Sequence, residues 1–142
     1  MVADAKSRGD GKLLFGGERL SGSLADGFFM SPAAFGEVSN TSPLARNEVF
    51  GPVLAISRFE DEESANDTPY GLAAYLHTSD ISRAHRVAAR LDAGNVAVNG
   101  GTSVNGPFAP FGGFKDSGYG KEGGLAGLLE YTRVKNVNIN LR

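Results

Sequence analysis

Cysteine is absent from the 142 residues. That excludes disulfides, cysteine-ligated zinc and iron-sulfur clusters, and any thiol nucleophile drawn from this stretch. Long hydrophobic runs are missing too, since no apolar stretch approaches the roughly 20 residues that a helix needs to cross a bilayer. Met1 is followed by the polar Ala3-Asp4-Ala5-Lys6-Ser7-Arg8 and not by a secretory leader, so the expected setting is cytoplasmic, with no membrane partner. Charge of one sign is lacking: 14 basic and 16 acidic residues are mixed along the chain and leave a net −2. Such a chain creates no field to recruit nucleic acid, and none is expected as a partner. Histidine is scarce, and His77 and His85 lie on different predicted elements without an acidic cluster beside them. Neither is expected to bind metal or to act in catalysis.

What is present suffices for a packed domain, with 41% hydrophobic residues and with 20 glycines and six prolines placed at turn-like points between apolar runs. Met1 to Arg8 reads as the tail of a helix stopped by Gly9-Asp10-Gly11. It has an end but no beginning, so the sequence is expected to start inside an element. Two β-like runs follow, Lys12 to Gly16 and Phe28 to Val38, separated by the turn-rich Ser21 to Gly27, which fits an antiparallel excursion. Val53 to Phe59 follows Gly51-Pro52, and its near-continuous apolar character predicts a strand covered on both sides. Asp61 to Asn66 is long enough for one helical turn only. A second strand is expected from Leu72 to His77. A helix capped by Ser79 or Asp80 then runs to about Leu91, with Ile81, Ala84, Val87, Ala88 and Leu91 at helical spacing.

Asp92-Ala93-Gly94 stops that helix, and Gly94 to Asn99 predicts a third strand. The alternation from Val53 to Asn99 is the pattern of βαβαβ units on a parallel sheet. A glycine-rich loop, Gly100 to Gly124, precedes an apolar helix around Leu125 to Tyr131 and a last β-like segment, Val134 to Leu141. The expected class is therefore α/β, a three-layer α/β/α arrangement with a mainly parallel sheet.

Gly118-Tyr119-Gly120-Lys121-Glu122-Gly123 matches the G-x-G-x-x-G dinucleotide pattern in letters. That pattern needs a strand directly before it and a long helix after it, and Pro110 to Ser117 does not read as such a strand. The Walker pattern fails as well, because Glu122 follows Lys121 where Ser or Thr is required. A loop in which glycine permits positive φ and close backbone approach is the favoured reading.

Four segments in fixed order carry a more specific signal: Glu48-Val49-Phe50-Gly51-Pro52-Val53, Ala65 to Leu72, Ser82 through Ala93-Gly94-Asn95-Val96, and Pro110-Phe111-Gly112-Gly113-Phe114-Lys115-Asp116-Ser117-Gly118. Together they resemble the NAD(P)-dependent aldehyde dehydrogenase superfamily, over almost the whole chain. The resemblance implies the C-terminal portion of the catalytic domain over residues 1–132 and an oligomerisation strand over residues 133–142. It implies that Glu48 accepts hydrogen bonds from the ribose hydroxyls on the nicotinamide side of NAD or NADP, and that Phe50 packs beside that ribose and ring. On the residues alone, Glu48 would be a solvated carboxylate before a strand and Phe50 a core anchor. Phe111 and Asn105, with the loop from Val104 to Phe108, correspond to the wall of the aldehyde entrance tunnel. Asn99, Lys115 and Ser117 are expected to hold loops.

Family chemistry uses a cysteine thiolate that attacks the aldehyde, hydride transfer to NAD(P)+, and hydrolysis of the resulting thioester by water that a glutamate activates. An asparagine side chain and a backbone N–H hold the oxyanion. These groups and the Rossmann domain have no counterpart in this stretch, so it holds no catalytic residue and is expected to be inactive alone. Family members also carry about four more residues between Phe59 and Asn66, or about 400° of helix, so the shortened turn keeps nearly the same facing. It loses apolar cover, at roughly 2–5 kcal/mol per well-buried side chain. The expected function is thus that of a C-terminal segment of an enzyme oxidising aldehydes to carboxylic acids. The alternative is a non-catalytic module that associates with itself, or with the remainder of such an enzyme, through the terminal strand.

Overall fold

A computed structural model describes residues 1–101 and 106–141. The chain forms two compact units, Met1–Thr68 and Pro69–Arg142.

In the first unit, helix α1 (Val2–Arg8) ends at Gly9, whose φ of 73° and ψ of 37° are left-handed. Gly9 N–H donates to Ala5 and Lys6 carbonyls and Asp10 N–H returns to Ala5, so the last carbonyls of the helix are satisfied. Strand β1 (Lys12–Phe15) pairs antiparallel with β2 (Ala33–Gly36), the expected excursion. The segment between them makes a short 3-10 turn at Gly22–Leu24 and an isolated bridge between Arg19 and Met30. Helix α2 (Pro43–Arg46) leads to β3 (Val53–Ala55), which pairs parallel with β2. Helix α3 (Glu62–Asn66) is the single turn anticipated, capped by Asp61, whose carboxylate accepts from Ser64 N–H at 2.7 Å. None of its residues is buried, so this turn adds no apolar cover.

The core of this unit is Ala5, Ala33, Phe35, Val38 and Leu44, with Val2, Leu13, Val49 and Val53 packed against it. Phe35 is fully buried and contributes on the order of 2–3 kcal/mol. The two-sided cover expected for Val53 to Phe59 is not found: Leu54 and Ile56 are 58% and 45% exposed.

Asp10, 7% exposed, is a buried carboxylate in this unit. Arg8 grips it with Nε at 3.1 Å and Nη2 at 2.7 Å. The hydrogen bonds from Arg8 above all hold the Asp10 carboxyl below the usual carboxylate range, and Ser64 lowers that of Asp61 in the same way. A carboxyl whose folded pKa is depressed stabilises the fold fully above its unfolded value of about 3.9 and ceases to do so as the pH falls through the folded value. Stability in urea is therefore expected to hold near neutrality and to fall progressively below about pH 4. The Asp10→Asn variant should show a shallower acid limb, which melts at stepped pH would check.

In the second unit, β4 (Tyr70–Gly71) pairs antiparallel with β7 (Phe114–Lys115), while β5 (Ala73–Leu76) and β6 (Asn95–Val98) pair parallel in register. Helix α4 (Ile81–Arg90) connects β5 and β6, with Asp80 accepting from Arg83 N–H at 3.0 Å as its cap. Here the βαβ expectation holds. It does not extend back to Val53, because β3 pairs with β2 and β5 with β6, in separate sheets. The α/β class is as expected, but of the pairings between named strands two are parallel and two antiparallel. Helix α5 (Gly124–Glu130) closes the folded part. The stretch from 133 to 141, expected to be a strand, joins no ladder among the described residues, and Val134, Ile139 and Leu141 stay exposed.

Candidate functional site

The segment of Glu48 and Phe50 is short and held at both ends. On one side stands α2, four residues long and unable to persist by itself. Ser42 caps it by accepting from Ala45 N–H at 3.3 Å, Pro43 fills the first helical position, and the Asn47 side chain returns to the Pro43 carbonyl at 2.9 Å. On the other side, Ala33 N–H donates to the Pro52 carbonyl at 2.9 Å, tying the entry of β3 to β2.

Between these anchors Val49 packs against the core, while its neighbours turn outward. Glu48 is exposed and Phe50 is 88% exposed, so the core-anchor reading of Phe50 does not describe this structure. Phe50 also has φ of 52°, in the left-handed region that bulky side chains avoid. A strained residue whose ring gains no burial is a feature associated with ligand-facing loops. No pattern of residue types in the sequence signals it.

The second unit gathers three of the recognised segments by close backbone approach. A Cβ on Gly94 would lie 1.7 Å from the Gly112 carbonyl oxygen. Asn95 Nδ2 donates to the same carbonyl and to that of Leu72, each at 3.3 Å. Ser117 Oγ accepts from Gly71 N–H at 3.1 Å, and Lys115 Nζ meets Asp92 at 3.0 Å. Lys121 Nζ donates to the Gly113 carbonyl at 3.0 Å and sits over the Phe114 ring. Lys115 and Ser117 therefore hold loops, as does Asn99, whose side chain both accepts from Thr78 N–H and donates to Thr78 O.

Phe111 is half-buried and pairs with Glu122 through two backbone hydrogen bonds of 2.7 Å. It borders a shallow cleft of about 440 Å³ with Leu72, Tyr119, Lys121 and Glu130. Asn105 and Val104 lie outside the described residues, so Phe111 alone of the named tunnel pair is placed. Gly118 and Gly123 have φ of 95° and 73°. The preceding strand has two residues and the following helix seven, so the letters of the dinucleotide pattern serve a turn here. His77 and His85 are both exposed, and no group of side chains suited to a metal ion occurs among the described residues. No helix among them is long and apolar enough to cross a membrane. The buried Asp10 and its partner Arg8 were not anticipated, because the burial of Asp10 arises only in the folded chain.

The profile of the aldehyde dehydrogenase family matches residues 1–137. An aldehyde dehydrogenase-like protein of Schizosaccharomyces pombe is 48% identical over 133 residues, which are 91% of this chain and 26% of that protein. An indole-3-acetaldehyde dehydrogenase crystallised with NAD+ superposes with a TM-score of 0.83 at 39% identity, over 99% of this chain and 28% of its own. A Pseudomonas syringae aldehyde dehydrogenase variant crystallised with NAD+ and octanal gives 0.81 at 38% identity, over 92% and 27%. The chain thus spans about a quarter of the length of these relatives. Sequence, fold and the order of the motif segments agree, and the chain belongs to the aldehyde dehydrogenase family.

Proposed function

We propose that these residues supply one wall of an NAD(P)-dependent aldehyde dehydrogenase site and that the bond-making sulfur comes from another segment. The observation that supports this most is the outward pair Glu48 and Phe50 on a loop whose intervening Val49 is anchored in the core. Glu48 would accept the two ribose hydroxyls on the nicotinamide side, which a carboxylate can do at once, and Phe50 would flank the ring. NAD(P)+ when bound would supply the hydride acceptor, and Glu48 and Phe50 would fix its angle. Relatives crystallised with NAD+, one of them also with octanal, favour this assignment.

A second reading is a non-catalytic module that associates through residues 133–142. The exposure of Val134, Ile139 and Leu141 on a segment with no strand partner among the described residues favours it, since such a segment is a template for pairing. One experiment separates the two. The purified 142-residue chain is mixed with a polypeptide carrying the family's cysteine segment and cofactor domain, and NADH is followed on addition of an aldehyde. Turnover dependent on both components supports the first reading; tight association without turnover supports the second.

A further inference from the structure

We propose that Asn99-Gly100 is a site of spontaneous deamidation, held closed in the folded chain by the backbone of Thr78. An asparagine loses its amide when the backbone nitrogen of the next residue attacks its side-chain carbon, and a side chain on that next residue hinders the approach. Two asparagines in the sequence precede glycine, Asn99 and Asn105, and Asn105 lies outside the described residues. The others precede a residue with a side chain, as Asn95 precedes the branched Val96.

Asn99 lies just past the end of β6 and is exposed. Its own N–H donates to Leu76 O at 2.8 Å, and the Gly101 N–H donates to Val98 O at 3.0 Å. Between them the Gly100 N–H has no acceptor among the described residues, so the attacking nitrogen is not tied up in a hydrogen bond. Nothing lies within 4 Å of where a Cβ on Gly100 would stand, which leaves room for ring closure and for water. The carboxamide, in contrast, is engaged at both ends. Its Oδ1 accepts from Thr78 N–H at 2.9 Å and its Nδ2 donates to Thr78 O at 2.8 Å. Attack requires both bonds to break and Asn99 to leave its left-handed φ of 53°. At the usual net strength of two neutral hydrogen bonds, the open form amounts to between roughly one part in ten and one in a hundred.

The reaction consumes only water. The Gly100 nitrogen forms a bond to Cγ of Asn99, the Cγ–Nδ2 bond breaks, and the proton from the Gly100 amide leaves with Nδ2 as ammonia. Water then opens the five-membered ring, at Cγ to give aspartate or at the main-chain carbonyl to give isoaspartate. Aspartate keeps an oxygen for the Thr78 N–H but has no donor for Thr78 O, and it sets a negative oxygen against that carbonyl. The lock therefore does not re-form. Its loss reaches α4, because Thr78 Oγ1 accepts from Asp80 N–H at 3.2 Å and Asp80 caps that helix. None of this depends on the reading of Glu48 and Phe50 given above.

The 142-residue chain, incubated at mildly alkaline pH both folded and in urea, provides the test. Peptide mapping by mass spectrometry follows the change from amide to acid, fragmentation separates Asn99 from Asn105, and enzymatic methylation counts isoaspartate. Asn99 should convert in the folded chain roughly 10- to 100-fold more slowly than in urea, and far faster than Asn95. Equal rates folded and in urea would overturn the lock, and folded-chain conversion no faster than that of Asn95 would overturn the site. Asn99→Asp, which supplies the aspartate product directly, should make the amides from Thr78 to Arg83 exchange with deuterium roughly threefold faster while those of β1 and β2 keep their rates. Unchanged exchange in that variant would contradict the release of α4.

Discussion

Replacing Gly94 with alanine unfolds the second unit or leaves it barely stable. The added methyl carbon would lie 1.7 Å from the Gly112 carbonyl oxygen and 2.8 Å from its carbon. Both contacts are to backbone, which cannot rotate aside as a side chain does. Relief requires the start of β6 to move off the Phe111–Gly113 stretch, and that movement would break the Asn95 bond to Gly112 and strain the β5–β6 ladder. We expect a cost of about 3–5 kcal/mol, the upper range for overpacking against a rigid neighbour. Gly120→Ala is the matched control, because nothing lies within 4 Å of its added carbon and its φ is ordinary. That variant should stay within about 0.5 kcal/mol of the parent. Urea unfolding followed by circular dichroism measures both. Equal stability of the two variants would show that the motif segments do not approach each other as described.

The second large effect concerns chemistry. In an enzyme reconstituted with the nucleophile-bearing part, Glu48→Gln should lower kcat/KM for NAD+ by roughly 10- to 100-fold. An ionised acceptor serving two hydroxyl donors is worth about 1.5–3 kcal/mol, and each 1.4 kcal/mol or so is about a factor of ten. The amide keeps the shape and one acceptor oxygen, so the loss reports charge and not packing. Glu48 is exposed and is not part of the core, so the melting temperature should not move. The KM for the aldehyde should change little, because the tunnel residues are untouched. Initial rates at varied NAD+ and fixed aldehyde check this. A loss expressed through aldehyde KM alone would place Glu48 elsewhere in the site.

Local features of this fold were legible where the residues themselves create them. Asp80 and the spacing of Ile81, Ala84 and Val87 define α4, and Asp80 does cap it. Gly9 ends α1 because only a residue without a side chain adopts its conformation freely. Legibility fails where a partner decides. The run from Phe28 to Val38 is β-like throughout, yet the β2 ladder covers Ala33–Gly36, bounded by Pro32, which has no N–H, and by Glu37 at φ of 54°. Val134 to Leu141 has strand composition, but a strand also needs an edge to bond to, and composition does not supply one. Val53 to Phe59 signals that its apolar side chains require cover without saying what provides it, and Leu54 remains 58% exposed.

The candidate site divides along the same line. Glu48, Phe50 and Phe111 were found through motif order, and nothing in their own neighbourhood distinguishes them from a surface acid and two aromatics. The outward turn of Phe50 and its left-handed backbone emerge only in the folded chain. So does the burial of Asp10 against Arg8.

The most direct measurement is NADH formation by the 142-residue polypeptide, freed of contaminating dehydrogenase and supplied with NAD+ and an aldehyde. With no cysteine in these residues, no thiolate is available to attack the carbonyl, and the rate should equal that of buffer. Sustained, enzyme-dependent reduction of NAD+ by the chain alone would contradict the assignment of the reacting sulfur to another segment.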